Sequence, residues 1–341
     1  MNTNLPEDTI RPKGMQCIPL LTGLRASVFW GDDLRRQNFE FLKSLDPGYF
    51  QFVADSCSDY LDDATKLEKA NRQRAAQMLR LVHGQGVESL MAMVGALAQS
   101  PEFPVGWMLR YQPSELEEVI RAISDEQPFP SLLNPKPVTW QSISTMVHSE
   151  MPDEAVRRAV TAKVASFWAA LAAEFLSPAF RDEYNSLKHG FRIMPGGFSA
   201  SLGPPKPAGS PPSAPEELEL LGHSEFGSFL LKAVSIEGTP KLNCGVSSRL
   251  RNWNPEALMA DLHLIACSLT NVVSCLRIVS GFKPQEVKFS WPDSDAPFAV
   301  KRRMVNEIET MSFGPGVQAS DVRPVTVDSV RHGYDTATRK S

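Results

Sequence analysis

The stretch NPEALMADLHLIACSLTNVVSCLRIVSG, residues 254–281, decides the fold. Asn254-Pro255-Glu256 reads as a helix start: an amide to accept a free N–H, a proline at the first helical position and an acid in the first turn. Gly281 reads as a stop. Between them Leu258, Leu262, Ile265, Leu269, Val272, Leu276 and Val279 recur in steps of four and three, a coiled-coil-like seam. The spacing predicts a long helix to about Ser280, at the centre of a bundle or at a dimer interface. From Leu262 to Phe282 the same segment is the one membrane-like run. His263, Asn271 and Arg277 are costly in hydrocarbon, so no membrane span is expected. A second stripe of His263, Cys267, Thr270, Ser274 and Arg277 lies one residue on. Its small polar side chains let another helix approach closely or line a pocket towards residues 181–189.

Upstream, the chain reads as successive helices. Asp46-Pro47 precedes one, and Ser114 with Glu117 forms a capping box ahead of LEEVIRAI. Pro152, Asp153 and Glu154 open an alanine-rich helix with Val156, Val160, Val164, Phe167, Leu171 and Phe175 along one stripe. ATKLEKANRQRAAQMLRLV and VESLMAMVGALAQ read as two helices split by Gly84 and Gly86, with Arg80 and His83 as capping residues. GGFSASLGPPKPAGSPPSAPEE, rich in proline and glycine, reads as an extended loop. ELELLGH, SFLLKAVSIEG and LNCGVSSRL alternate as strands of a small antiparallel sheet, with IEGTPKLN as a turn.

The expected fold is therefore mainly α: a helical bundle with a small antiparallel sheet inserted before the last long helix. The expected divisions are an N-terminal extension (1–30), the bundle (31–192), a Gly/Pro-rich loop (193–216) and a small β insertion (217–253). The long core helix (254–282) completes the bundle. A C-terminal extension (283–341) follows, with one helix starting near Pro297 and the remainder loop and frayed end.

With 341 residues, 42% of them hydrophobic, the chain can bury a sizeable core. A formal net charge of −4 argues against non-specific coating of nucleic acid or an anionic membrane, so such contacts need a local basic patch. Five cysteines with no Cys-x-x-Cys pair, after an N-terminus without a secretory pattern, suit a reducing, cytoplasmic setting. No nucleotide loop, nucleophile elbow or zinc spacing is present, so no cofactor is expected.

The densest functional chemistry lies in RDEYNSLKHGFR, residues 181–192. Ser177-Pro178 starts a helix, and Lys188 and His189 occupy its last turn before Gly190. Arg181, Asn185 and His189 share one face, flanked by Lys188 and Arg192. A guanidinium, an amide and an imidazole can hold a phosphodiester, the arginine neutralising oxygen and the histidine moving a proton. The alternative is architectural: Arg181 pairs with Glu174 or a neighbouring helix, Asn185 bonds backbone, and the His189 imidazole caps the last carbonyls.

Asn185-Ser186-Leu187-Lys188-His189 resembles the end of the Arg-polar-x-x-x-His motif of HEPN domains, helical bundles of prokaryotic defence, toxin and RNA-processing proteins. The family places arginine directly before the polar residue; here Tyr184 stands there and Arg181 lies one turn earlier. The resemblance implies a metal-independent endoribonuclease working as a homodimer on RNA. His189 would transfer the proton, Asn185 would orient, and Arg181, Arg192 and Lys188 would hold phosphate. The competing expectation is a non-catalytic helical interaction protein in which the motif is a structural cap.

Overall fold

The computed structural model describes residues 16–31, 33–62, 69–133, 137–151, 153–190, 192–205, 207, 209, 211, 213–234, 245–300, 310–313 and 325–338. In chain order the elements are strands β1 (Gln16–Thr22) and β2 (Arg25–Gly31), then helices α1 (Leu34–Ser44), α2 (Gly48–Asp62) and α3 (Lys69–Gln99). Next come α4 (Pro104–Arg110), α5 (Pro113–Ser124), α6 (Trp140–Val147), α7 (Glu154–Phe175) and α8 (Pro178–Lys188). Strands β3 (Ile193–Pro195), β4 (Ser199–Leu202), β5 (Glu219–His223), β6 (Gly227–Val234) and β7 (Gly245–Asn252) lead to α9 (Pro255–Val279). The chain closes with α10 (Ala296–Ala299), β8 (Thr310–Phe313) and α11 (Val327–Thr338). This is the mainly α architecture with a small antiparallel sheet that the sequence implies.

Contacts divide the chain into two units, one up to Lys188 with residues from Asn254 to Arg303, the other His189–Trp253 with residues from Met304 onward. In the helical unit, α9 packs along α3 and α2. Its predicted bounds hold: Asn254 accepts from the Ala257 N–H at 3.2 Å, and Gly281 takes a positive φ of 98° beyond the end. The seam from Leu258 to Leu276 is buried, with Val279 at the exposed end. α9 also buries Leu264, Ala266, Val273 and Cys275, so it is covered on more than its seam, as a central helix is. By composition it is apolar enough to cross a membrane, yet 67% of its apolar window is buried inside the protein.

α3 is one continuous helix, which corrects the expected break at Gly84 and Gly86. Those glycines serve close approach. A Cβ at Gly84 would run into the Tyr184 ring, and one at Gly86 would meet Ile265 at 3.1 Å. Packing here outweighs glycine's unfavourable helix propensity of about 1 kcal/mol. From Val87 to Gln99 most of α3 is buried, leaving it no solvated face.

Other expectations change as well. Within the segment taken as an N-terminal extension, residues 16–31 form an antiparallel hairpin whose Ile18, Leu20 and Thr22 are buried. Leu21 N–H donates to the Ser100 hydroxyl at 3.0 Å, and Gly23 N–H donates to the Gln99 amide oxygen at 2.8 Å. The cap of α5 is Gln112, whose N–H donates to Glu115 at 2.8 Å, in place of Ser114 and Glu117. α7 opens where expected, with Asp153 as its cap, accepting from the Ala155 and Val156 N–H groups. α7 and α8 then meet at an angle of 74° across Ser177-Pro178.

In the second unit, β3-β6-β7-β8 form a four-stranded antiparallel sheet and β4-β5 a separate pair. β3 and β4 fall inside the expected loop of residues 193–216, so that span is partly strand. Their backbone donors find partners despite the flanking glycines and prolines. β8, contributed by the C-terminal segment, pairs with β7 from Ser248↔Phe313 to Arg251↔Thr310. Of the helix expected from near Pro297, the described residues show the short α10. Its continuation at 301–309 and the turn at 235–244 lie outside the described residues. α11 replaces the expected frayed end.

Candidate functional site

α8 begins where the Ser177 hydroxyl accepts from the Ala179 N–H at 3.3 Å and Pro178 sets the first helical φ. Its period then sends Phe180, Glu183, Tyr184 and Leu187 inward and Arg181, Asn185 and Lys188 to solvent.

The inward face carries a buried ionic cluster that sequence reasoning missed. Glu183, fully buried, accepts from Arg80 Nε at 3.0 Å and from a terminal nitrogen at 2.7 Å. A second terminal nitrogen of Arg80 donates to Glu174 on α7 at 3.0 Å and lies 3.2 Å from His83 Nδ1. A guanidinium can only donate, so His83 Nδ1 accepts. The ring proton then sits on Nε2, facing Asp261 of α9 at 3.4 Å. Burial alone would lower the pKa of Arg80. The carboxylates of Glu183 and Glu174 outweigh that and hold it above the ordinary value. Arg80 also lies over the Phe180 ring, 5.5 Å from its centroid. Arg80 and His83 therefore act as internal joints, not helix caps. The available signal was their place on the Ala76–Val87 side of α3, among apolar residues.

On the outward face, Arg181 pairs with Glu117 of α5 at 2.6 Å, not with Glu174. Lys188 pairs with Glu88 of α3 at 3.1 Å and sits 3.9 Å above the Tyr184 ring. The Tyr184 hydroxyl donates to the same Glu88 carboxylate at 2.8 Å. Burial, then Glu88, raises the pKa of Tyr184, so it remains a phenol. Arg181, Asn185 and Lys188 are thus brought onto one exposed ridge. Asn185 and His189 are exposed and make no hydrogen bond or ion pair among the described residues. The capping role for the His189 imidazole is therefore not realised; Gly190, with φ 72°, makes the turn. His189 and exposed Arg192 follow α8 as the first residues of the second unit.

Two further polar joints fix α9. His148, fully buried, bonds through Nδ1 to the Ser144 carbonyl at 2.7 Å and lies 3.2 Å from the Asn271 amide nitrogen. Burial lowers its pKa, an effect opposed by that backbone bond. Asn271 also pairs with the Ser290 backbone in both directions, at 2.7 Å each way. The second stripe of α9 seats an extended segment and a helix end rather than another helix. Ser274 donates to Lys288 O at 2.6 Å, Cys267 meets Ser290 at 3.5 Å, and Arg277 donates to Leu42 O at 2.7 Å. His263, towards the start of the stripe, meets Asp55 at 2.8 Å.

Chemically, the α8 ridge offers a guanidinium, an ammonium and an unengaged amide. Both cations are held in partly exposed pairs that a competing phosphate can exchange. Among the described residues, no three His, Cys, Asp or Glu side chains gather so as to hold a metal ion. No family model, curated protein or solved structure matches the chain.

Proposed function

We propose that the chain is an RNA-contacting helical protein of HEPN type, with the α8 ridge as its phosphate-binding surface. One observation carries this reading: Asn185 and His189 are exposed and without partners among the described residues, while Glu183, Tyr184 and Leu187 of the same stretch are committed inward. Arg181 and Lys188 supply the charge, with Arg192 just beyond the helix. If the protein cuts RNA, His189 transfers the proton without a metal, Asn185 orients the phosphodiester and a homodimer is the working unit. A role in prokaryotic defence follows from the same resemblance.

The test is fluorescence anisotropy with a single-stranded RNA of about 20 nucleotides across a salt series, with cleavage followed on a gel. Arg181→Ala with Lys188→Ala should weaken binding about tenfold and lower the salt slope by about 1.4. His189→Ala should leave binding intact and abolish any cleavage. An RNA affinity that the double variant does not change would end the proposal.

A second reading is favoured by the ion pairs Arg181–Glu117 and Lys188–Glu88. These make α8 a corner piece of a non-catalytic interaction protein, with its cations already matched. That reading expects no RNA binding by the unmodified chain at physiological salt.

A further inference from the structure

Between α6 and α7 lies a cavity of about 430 Å³ lined by Gln141, Thr145, Ser149, Arg157, Arg158 and Thr161. Every lining residue carries a hydrogen-bonding side chain, two are permanent cations and none is a carboxylate. We propose that this cavity is an oxyanion site for the phosphate group of a small phosphorylated molecule.

The local structure explains why the site is held open and short of acceptors. Gln141 and Thr145 stand four apart on α6, and Ser149 follows just past its end, so all three face the same way. Behind them α6 is fastened to α7, the buried Ser144 hydroxyl donating to Thr161 O at 2.9 Å. Arg157 donates to the Ser149 carbonyl at 2.8 Å, which fixes the guanidinium and leaves further N–H groups to donate. Among the described residues the Ser149 hydroxyl makes no hydrogen bond, and the Gln141 amide nitrogen makes a 3.5 Å contact with Thr145. Arg158 pairs with Glu154 at 2.9 Å, but the two side chains are 76% and 64% exposed, so the bond is cheaply exchanged.

The Thr145 and Thr161 hydroxyls donate to Gln141 O at 2.8 Å and Arg157 O at 2.6 Å, so the donors left for a ligand are those of Arg157, Arg158, Gln141 and Ser149. A phosphate supplies the missing acceptor oxygens, and planar guanidinium groups match it two bonds at a time. The volume exceeds a lone phosphate and falls in the range of small-molecule sites. No residue is shared with the α8 ridge, so this inference stands apart from the RNA reading.

The experiment titrates inorganic phosphate, then a single-stranded RNA of about 10 nucleotides, into the full chain by calorimetry at constant ionic strength. Inorganic phosphate should bind the unmodified chain, and its affinity should fall at least about tenfold in Arg157→Gln/Arg158→Gln, roughly one bidentate contact. It should not change in Arg181→Gln/Lys188→Gln. Loss of phosphate binding in Arg181→Gln/Lys188→Gln but not in Arg157→Gln/Arg158→Gln would place the anion on the α8 ridge and overturn the cavity site. If RNA affinity is the same in Arg157→Gln/Arg158→Gln as in the unmodified chain, the phosphate comes from a small molecule, as proposed. If RNA affinity falls in parallel, a backbone phosphate occupies the site and the small-molecule assignment fails. Because Arg157 also ties down Ser149, Arg158→Gln alone serves if the double variant does not fold, and should still weaken phosphate binding. Equal phosphate affinity in a folded variant and the unmodified chain, or no binding to either, overturns the oxyanion site.

Discussion

On the inner face of α8, Glu183 is sealed against Arg80, itself 5% exposed; on the outer face, Arg181 meets Glu117 with 48% of its side chain in water. Both are arginine–carboxylate pairs on one short helix, yet they do different work. The buried pair has given up hydration on both sides and must stay complete, since removing one partner strands a charge in the core. The exposed pair gave up little and can be traded for another anion at small cost. One helix thus fixes the fold with one side and carries partly exposed, exchangeable pairs on the other.

The strongest way to break this comparison is Arg80→Ala. It should destabilise the protein by about 3–5 kcal/mol in urea unfolding, because Glu183 and Glu174 would lose their shared cation. Arg80→Lys should recover only part of this, as an ammonium cannot make the forked contact. A loss under about 1 kcal/mol would show that the core hydrates readily and that the two faces are equivalent.

Gly84→Ala comes next. Its methyl meets the Tyr184 ring, the floor beneath Lys188, and should cost about 1–3 kcal/mol as the ring is displaced. Weaker RNA binding in this variant would show that the outer ridge depends on inner packing.

A third prediction concerns pH. Burial depresses the pKa of His148, so as pH falls the unfolded chain takes up this proton before the folded one. Its contribution is complete above the ordinary histidine value of about 6.5 and declines below it, by at most about 1.4 kcal/mol per pH unit. Unfolding midpoints from pH 7 to pH 5 should therefore fall less steeply in His148→Gln. Equal slopes would mean that His148 is hydrated or already charged in the fold.

The smallest effect belongs to the outer face. Arg181→Ala should change stability by no more than about 1 kcal/mol in the same urea assay. A larger loss would make Arg181 as structural as Arg80.

Periodicity carried most of the fold. The α9 seam, with Asn254-Pro255 before it and Gly281 after it, states its own limits, because bundle-core packing demands that pattern. Gly84 and Gly86 misled because their propensity is local, while the Tyr184 and Ile265 side chains that need the space come from distant sequence. The β3 and β4 strands were masked by glycine and proline, and β8 by its separation from the sheet it completes. For the site, the exposed ridge was legible as spacing within α8. The Arg80–Glu183 joint spans 103 positions, and no local pattern announces such a pair. A charged residue on the apolar side of a helix is the one hint that sequence alone offers.

The bend between α7 and α8 has a consequence for motion. Glu174 and Glu183 stand nine positions apart; on a straight rod they would be about 13 Å apart and point in opposite directions. Folded at 74°, they reach one guanidinium. Arg80 therefore works as a strut across an elbow, and flexing that elbow in either direction would pull a carboxylate from its counter-ion. The 74° setting is thus the one at which both carboxylates share this charge, and loss of Arg80 would release the elbow from it.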